Sequence, residues 1–239
     1  MGALGKAVGA DRAGSSAPSS IRAAHMTKNI FRFWTDIKLK DGAHPADYEV
    51  LSRVRHNFDL NCLPASFNGR LRTAPVVLLY LSPGLSEFDP MQAKTRAGRA
   101  WYRRRWRGRE PLQGPDDHLR AWQWWKSRTA CFGDWQHLQT KVAILNIGAY
   151  HSKTFSDVPL LAALPSSRVS LDWAQGVLFP QAIAGKRIVI CLRAARFWGL
   201  KEGKGYGEAL FAPPVTRSGH MKHSRMRRAV IRRVKDMLA

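Results

Sequence analysis

Four stretches of this chain are apolar over the length of a strand, and none of them alternates with polar residues. They are VVLLYL (76–81), KVAILNIGAY (141–150), KRIVICL (186–192) and, less clearly, EALFAPP (208–214). Near-continuous apolar runs are the mark of strands covered on both faces. Helix-like segments lie between and after them at Asp117–Ser127, Ser170–Ala184 and Ser224–Leu238. An earlier short helix is expected over Pro45–Arg55, with Pro at an early position and Tyr48, Leu51 and Val54 on one face. Strands alternating with helices predict an α/β fold, a three-layer α/β/α arrangement around a central four-stranded, mainly parallel sheet. Residues 29–239 read as a single domain. Residues 1–28, rich in Gly, Ala and Ser without apolar period, read as a disordered tail, ahead of a transit peptide. FDLNCLPASFNGRLRTAP reads as a loop into the first strand, and GKGYG (203–207) as a flexible turn without the order of a phosphate-binding loop.

Charge changes the picture most. The 239 residues carry 39 Lys and Arg against 17 Asp and Glu, a net charge of +22. Such an excess repels itself in a folded domain and calls for a polyanionic partner. Nucleic acid, specifically DNA, leads, ahead of an anionic membrane surface and of a merely basic protein. No segment is long and apolar enough to span a bilayer, so no membrane role is expected. Cys62, Cys131 and Cys191 are odd in number and widely spaced. They give neither a disulfide framework nor a metal knuckle, and three thiolates cannot hold a four-cysteine iron–sulfur cluster. A cytoplasmic monomer without metal or other cofactor is the expectation.

In open α/β sheets ligands sit beyond the carboxyl ends of the strands. The first strand ends in Ser82-Pro83-Gly84-Leu85-Ser86-Glu87-Phe88-Asp89, an abrupt Pro-Gly break followed by two acids. The second ends in Asn146 and runs on to Tyr150 and His151, and the fourth is followed by Thr216, Arg217, Ser218, His220 and His223. Each residue alone has a bland explanation as a turn, a cap or a solvated loop. Together they would gather at one edge of the sheet.

On these residues the chain resembles the uracil-DNA glycosylase superfamily. YLSPGLSEFD resembles the NPG form of the family's first motif, and LPASFNGRLRTAPVVLLYLSPG is similar to bacterial members across the approach to it. Asn146 in VAILNIGAY would correspond to the Asn that reads the base, and Arg217-Ser218-Gly219-His220 is a loose match to the HPS-type loop after strand four. The resemblance implies a monofunctional DNA glycosylase that flips out its target base. It departs at the family's catalytic Asn or Asp, where this chain has Ser82. Asp89, or Glu87, would supply the missing carboxylate. Gly84 stands where the uracil-specific branch has a Tyr that crowds the pyrimidine 5-position. The resemblance therefore implies room for a bulky 5-modified pyrimidine such as glucosyl-hydroxymethylcytosine of phage DNA, with uracil or mismatched bases as the alternative.

Breaking an N-glycosidic bond develops positive charge on the sugar and negative charge on the departing base. Asp89 with His220 or His151 fits those two demands. Asn146 offers an amide donor and acceptor for the base edge, and Gly84, Phe88, Tyr150 and His151 are the other candidate base contacts. The strongest DNA signal is KTRAGRAWYRRRWRGRE (94–110), with eight Lys or Arg interleaved with Trp101, Tyr102 and Trp106. Arg103, Arg104, Arg105 and Trp106 are expected on DNA, together with Arg217, Ser218, Arg225 and Arg228. WQWWK (122–126) reads instead as core packing. In the last helix Met226, Val230, Val234 and Met237 form an apolar stripe among arginines. A non-catalytic nucleic-acid-binding protein and an enzyme on another nucleotide-like substrate are the competing expectations.

Overall fold

A computed structural model describes residues 29–35 and 37–239; the expected tail at 1–28 lies outside the described residues. In chain order the elements are α1 (Ile30–Trp34), α2 (Pro45–Leu51), β1 (Phe67–Gly69), β2 (Val76–Tyr80), α3 (Phe88–Lys94), α4 (Arg96–Arg105), α5 (Pro115–Thr129) and α6 (Trp135–Leu138). There follow β3 (Val142–Asn146), α7 (Val158–Ala163), α8 (Pro165–Trp173), a π-helical turn (Ala174–Leu178), α9 (Phe179–Ile183) and β4 (Ile188–Cys191). A short 3-10 turn (Ala195–Trp198), β5 (Lys204–Tyr206), β6 (Leu210–Ala212) and α10 (Arg225–Leu238) complete the chain.

Every side chain of β2 is buried, and the pleat sends them to two different cores. Val77 and Leu79 face a core shared with α1, α8, α9 and the aromatic end of α4. Val76, Leu78 and Tyr80 face a second core built with α5, α6 and α10. Burying an aliphatic side chain of this size contributes roughly 1.5–3 kcal/mol, so a strand apolar on both faces is stable only between two helical layers. That is why the run does not alternate.

The sheet is mixed and has six strands in the order β1-β3-β2-β4-β6-β5. β3, β4 and β6 join it through parallel pairings, with Tyr80 opposite Asn146 at the carboxyl end of the β2–β3 pair. β1 and β5 pair antiparallel at the two edges. The four-strand expectation therefore falls short by two. Phe67–Gly69 reads in sequence as loop and Lys204–Tyr206 as a flexible turn; at three residues each, neither carries a readable period, and only the neighbouring strand makes them strands. No helix among the described residues is long and apolar enough to cross a membrane.

The helices differ from expectation mainly at their ends. The single helix expected over Ser170–Ala184 begins earlier, at Pro165, and passes through the π-helical turn just before Pro180. A proline ring inside a helix clashes with the carbonyl four residues back, and a widened turn relieves the clash. α10 starts where expected, with the Ser224 hydroxyl accepting the Arg227 amide at 3.1 Å. Its stripe packs as foreseen, with Val230 and Val234 buried and Met226 and Met237 against the same core.

Candidate active site

Beyond the carboxyl ends of β2 and β3 lies a cavity of about 220 Å³. It is smaller than the roughly 300–1,000 Å³ usual for drug-sized ligands and suits a group the size of a single ring. Ser82 to Ser86 form one side, Asn146 and His151 another, and α5 supplies His118, Trp124 and Trp125.

Among the described residues, Asp89 is the only carboxylate in this wall. It sits in the first turn of α3 and is 8% exposed. Its Oδ2 accepts from the Ser86 amide at 2.6 Å and the Ser86 hydroxyl at 2.7 Å, and its Oδ1 lies 3.2 Å from His118 Nε2. Burial by itself would raise its pKa. The His118 hydrogen bond, the nearby His151 and the two Ser86 bonds outweigh burial and hold the carboxyl down to about 2. Asp89 is therefore ionised at neutral pH in a site from which water is largely removed.

His118 was not among the residues expected here. α5 opens with Pro115 after Gly114, whose amide donates to Asp117 at 3.0 Å. The backbone then leaves helical geometry at His118 (φ −165°, ψ 90°), which turns this residue into the cap of the remaining helix. Its Nδ1 accepts the Ala121 amide at 3.1 Å. With Nδ1 used as acceptor, Nε2 carries the proton and hydrogen-bonds Asp89, which fixes the orientation of both side chains. A histidine inside a predicted helix gives no hint of this, because the kink that exposes its ring edge is not periodic.

His151 meets Asp89 from the other side, its Nδ1 lying 3.7 Å from Oδ2 and donating to the Gly84 carbonyl at 2.6 Å. Burial pushes the His151 pKa down, against the pull of Asp89 and of the Gly84 carbonyl. Its Nε2 is buried without a hydrogen-bond partner among the described residues. Asn146, at the tip of β3, donates its amide to the Ala65 carbonyl at 2.9 Å. That bond takes one of the two amide N–H donors and leaves the second, with the Asn146 Oδ1, for a ligand. Gln113 accepts from Asn68 at 3.5 Å while its own Nε2 is buried without a partner among the described residues. Tyr80, Tyr102, Trp124 and Trp125 provide the aromatic walls, with Tyr80 and Trp124 packed edge to face at 4.9 Å. The expectation that WQWWK is core alone is thus corrected: Trp124 and Trp125 touch both the core and the cavity.

Ser82, Gly84, Asp89, Asn146 and His151 are thus brought together. A Cβ on Gly84 would meet nothing within 4 Å, so this part of the rim is open. Glu87 is exposed at the start of α3 and is not part of the wall. Phe88 packs on the outer side, its ring 5.5 Å from that of His118. Tyr150 is a structural residue: its hydroxyl donates to the buried Asp47 and accepts the His44 amide, tying α2 to the end of β3. His220 lines a separate cavity with Arg128, Cys131, His223 and Arg227, away from Asp89. Its expected pairing with Asp89 is not formed: the loop after β6 meets the C-terminal end of α5, where Arg128 donates to the Ser218 carbonyl, and Gly219 lies against Tyr80.

The Arg-Trp segment splits in the same way. α4 exposes Arg103 and Arg104, the latter paired with Glu110 at 3.3 Å. Trp106 is core, its indole donating to the Pro64 carbonyl at 3.0 Å and stacked on Trp34. Arg105 is buried at 4% exposure and belongs to the cavity wall. Neither of these last two can serve as a surface contact to DNA. Helical periodicity decides this: Tyr102, Arg105 and Trp106 share the inward face. Arg217, Ser218, Arg225 and Arg228 are all exposed.

Among the described residues no group of three or more His, Cys, Asp or Glu converges as a metal site. Comparison with protein-family models, curated proteins and solved structures yields no match.

Proposed function

We propose that this chain is a monofunctional DNA glycosylase, with Asp89 as its catalytic carboxylate. The observation that carries this is an ionised, almost fully buried carboxylate, clamped by Ser86 and His118 inside a cavity of single-ring size beyond the carboxyl ends of β2 and β3. In this proposal the parallel run β3-β2-β4-β6 is the four-stranded core of a uracil-DNA-glycosylase-like fold, and the SPG turn shapes the pocket for an extruded base. The net charge of +22 supports a polyanionic substrate.

The chemistry follows from the charges. The C1′–N bond breaks heterolytically, and its electron pair leaves with the base. Asp89 faces the positive charge left on the sugar and accepts a proton from the water that adds to C1′. Asn146 Oδ1 accepts from a donor on the base edge, and the indoles of Trp124 and Trp125 offer stacking surface. The open rim at Gly84 supports a substrate with a bulky 5-substituent, such as glucosylated hydroxymethylcytosine, over plain uracil.

The test is mass spectrometry of bases released from duplex and single-stranded DNA carrying uracil, hydroxymethylcytosine or its glucosylated form, beside unmodified DNA. Release of the modified cytosine with formation of abasic sites supports the proposal. Release of uracil alone would keep the enzyme and discard the substrate. Binding without release would favour a non-catalytic DNA-binding protein, for which Ser82 in the catalytic position of the first motif is the supporting observation.

A further inference from the structure

Among the described residues two arginines are deeply buried, and they are treated very differently. Arg187, at 8% exposure, has every nitrogen engaged. Its Nε donates to the Ala74 carbonyl at 2.8 Å, its Nη2 to the Leu71 carbonyl at 2.8 Å and its Nη1 to Gln181 at 3.5 Å. It is a structural clamp. Arg105 is more buried still; its Nε donates to the Phe67 carbonyl at 2.5 Å, and its one other polar neighbour among the described residues is the Tyr102 side chain. It forms no ion pair with a carboxylate among the described residues, the Asp89 charge acting on it only at longer range. Its guanidinium leans on the rings of Trp101 and Tyr102, at 5.4 and 5.0 Å from their centroids.

Burying a cation without a counter-charge is expensive, so such a group is retained where a ligand supplies the missing charge. The place is the cavity that also holds Asp89. One wall thus carries a fixed negative charge and another a fixed positive charge, and the two do not pair with each other. That division matches the transition state of N-glycosidic cleavage, positive on the sugar and negative on the base.

We propose that Arg105 is a catalytic residue that receives the negative charge of the departing base. This rests on the glycosylase proposal and deepens it. The Nε bond to Phe67 fixes the plane of the guanidinium, and Trp101 and Tyr102 hold its flank. The two Nη groups then donate to the carbonyl oxygen on which the electron pair of the broken C1′–N bond is delocalised. The base departs as an anion bound to Arg105 and takes its proton from solvent afterwards. Preorganised donors of this kind contribute about 10²–10³-fold each to the rate.

The experiment compares the wild-type chain with Arg105→Gln and Arg105→Lys, after circular dichroism and thermal melting show which variants fold. Free 5-fluorouracil is titrated against each protein as pH is raised through ionisation of its ring N–H. Affinity is expected to rise with the anion in the wild type, to rise less in Arg105→Lys and to stay flat in Arg105→Gln. In single-turnover release of glucosylated hydroxymethylcytosine from DNA, Arg105→Gln is expected to lose about 10²–10³-fold in rate with DNA affinity nearly unchanged, and Asp89→Asn slows the same release. An unchanged affinity profile in a folded Arg105→Gln variant, or no binding of the anion by the wild type, overturns the inference. Base release equal in wild type and Arg105→Gln leaves a glycosylase without this residue. Anion binding that needs Arg105, with no base released from any DNA, leaves the anion site and removes the glycosylase.

Discussion

Replacing Asp89 by Asn tests the centre of the site through stability and activity at once. The substitution keeps the shape of the side chain and removes its charge. Two donors from Ser86 and one from His118 then face a group that can accept through one oxygen only. The carboxyl lies at about 2 against an ordinary 3.8, and at 1.36 kcal/mol per unit the folded state gains roughly 2–2.5 kcal/mol from the ionised form. The folded pKa is depressed, so this gain is present in full above the unfolded value near 4 and is lost as pH falls toward 2. Urea unfolding at pH 7 is therefore expected to show Asp89→Asn less stable by about 2–3 kcal/mol, with the gap narrowing when the measurement is repeated at pH 3. Base release at pH 7 is expected to fall by at least about 10²-fold, with DNA affinity nearly unchanged. A stability gap that is absent, or that does not narrow in acid, would refute the clamp on Asp89. Near-normal turnover in a folded variant would remove Asp89 from the chemistry.

Tyr150→Phe should cost about 1–3 kcal/mol in chemical denaturation, because it strips the buried Asp47 of its hydroxyl partner, while base release by the folded fraction is unchanged. Trp106→Ala should cost about 3–5 kcal/mol and leave the salt dependence of DNA binding as it was, since the indole is packed on Trp34 and not on DNA. Neutralising Arg103 and Arg104 together should flatten the slope of log affinity against log salt by about 1.8 if each meets one phosphate, measured by fluorescence anisotropy. His220→Ala should leave the rate of base release unaltered, because the ring lines a different cavity; a large loss in single-turnover assays would show that its loop closes over the site.

The sequence alone determined the layered architecture, because its cause is local. A strand covered on both faces must be apolar along its length, and VVLLY, IVIC and VAILN up to its terminal Asn146 are. The same signal marked the strand tips, and with them Asp89, Asn146 and His151. Three things were decided only by the tertiary structure. The edge strands β1 and β5 exist because β3 and β6 offer them partners, and three residues carry no pattern of their own. Arg105 and Arg103 are two positions apart in one basic run, and only the packing of α4 sends one into the cavity and the other into water. His118 reaches Asp89 from 29 residues away because α5 kinks at it, and His220, equally near a strand tip in sequence, lines another cavity because its loop packs on the C-terminal end of α5. Periodicity reports which face of an element is buried. Which buried polar groups face one another depends on how the elements cross, and that is fixed by contacts distant along the chain.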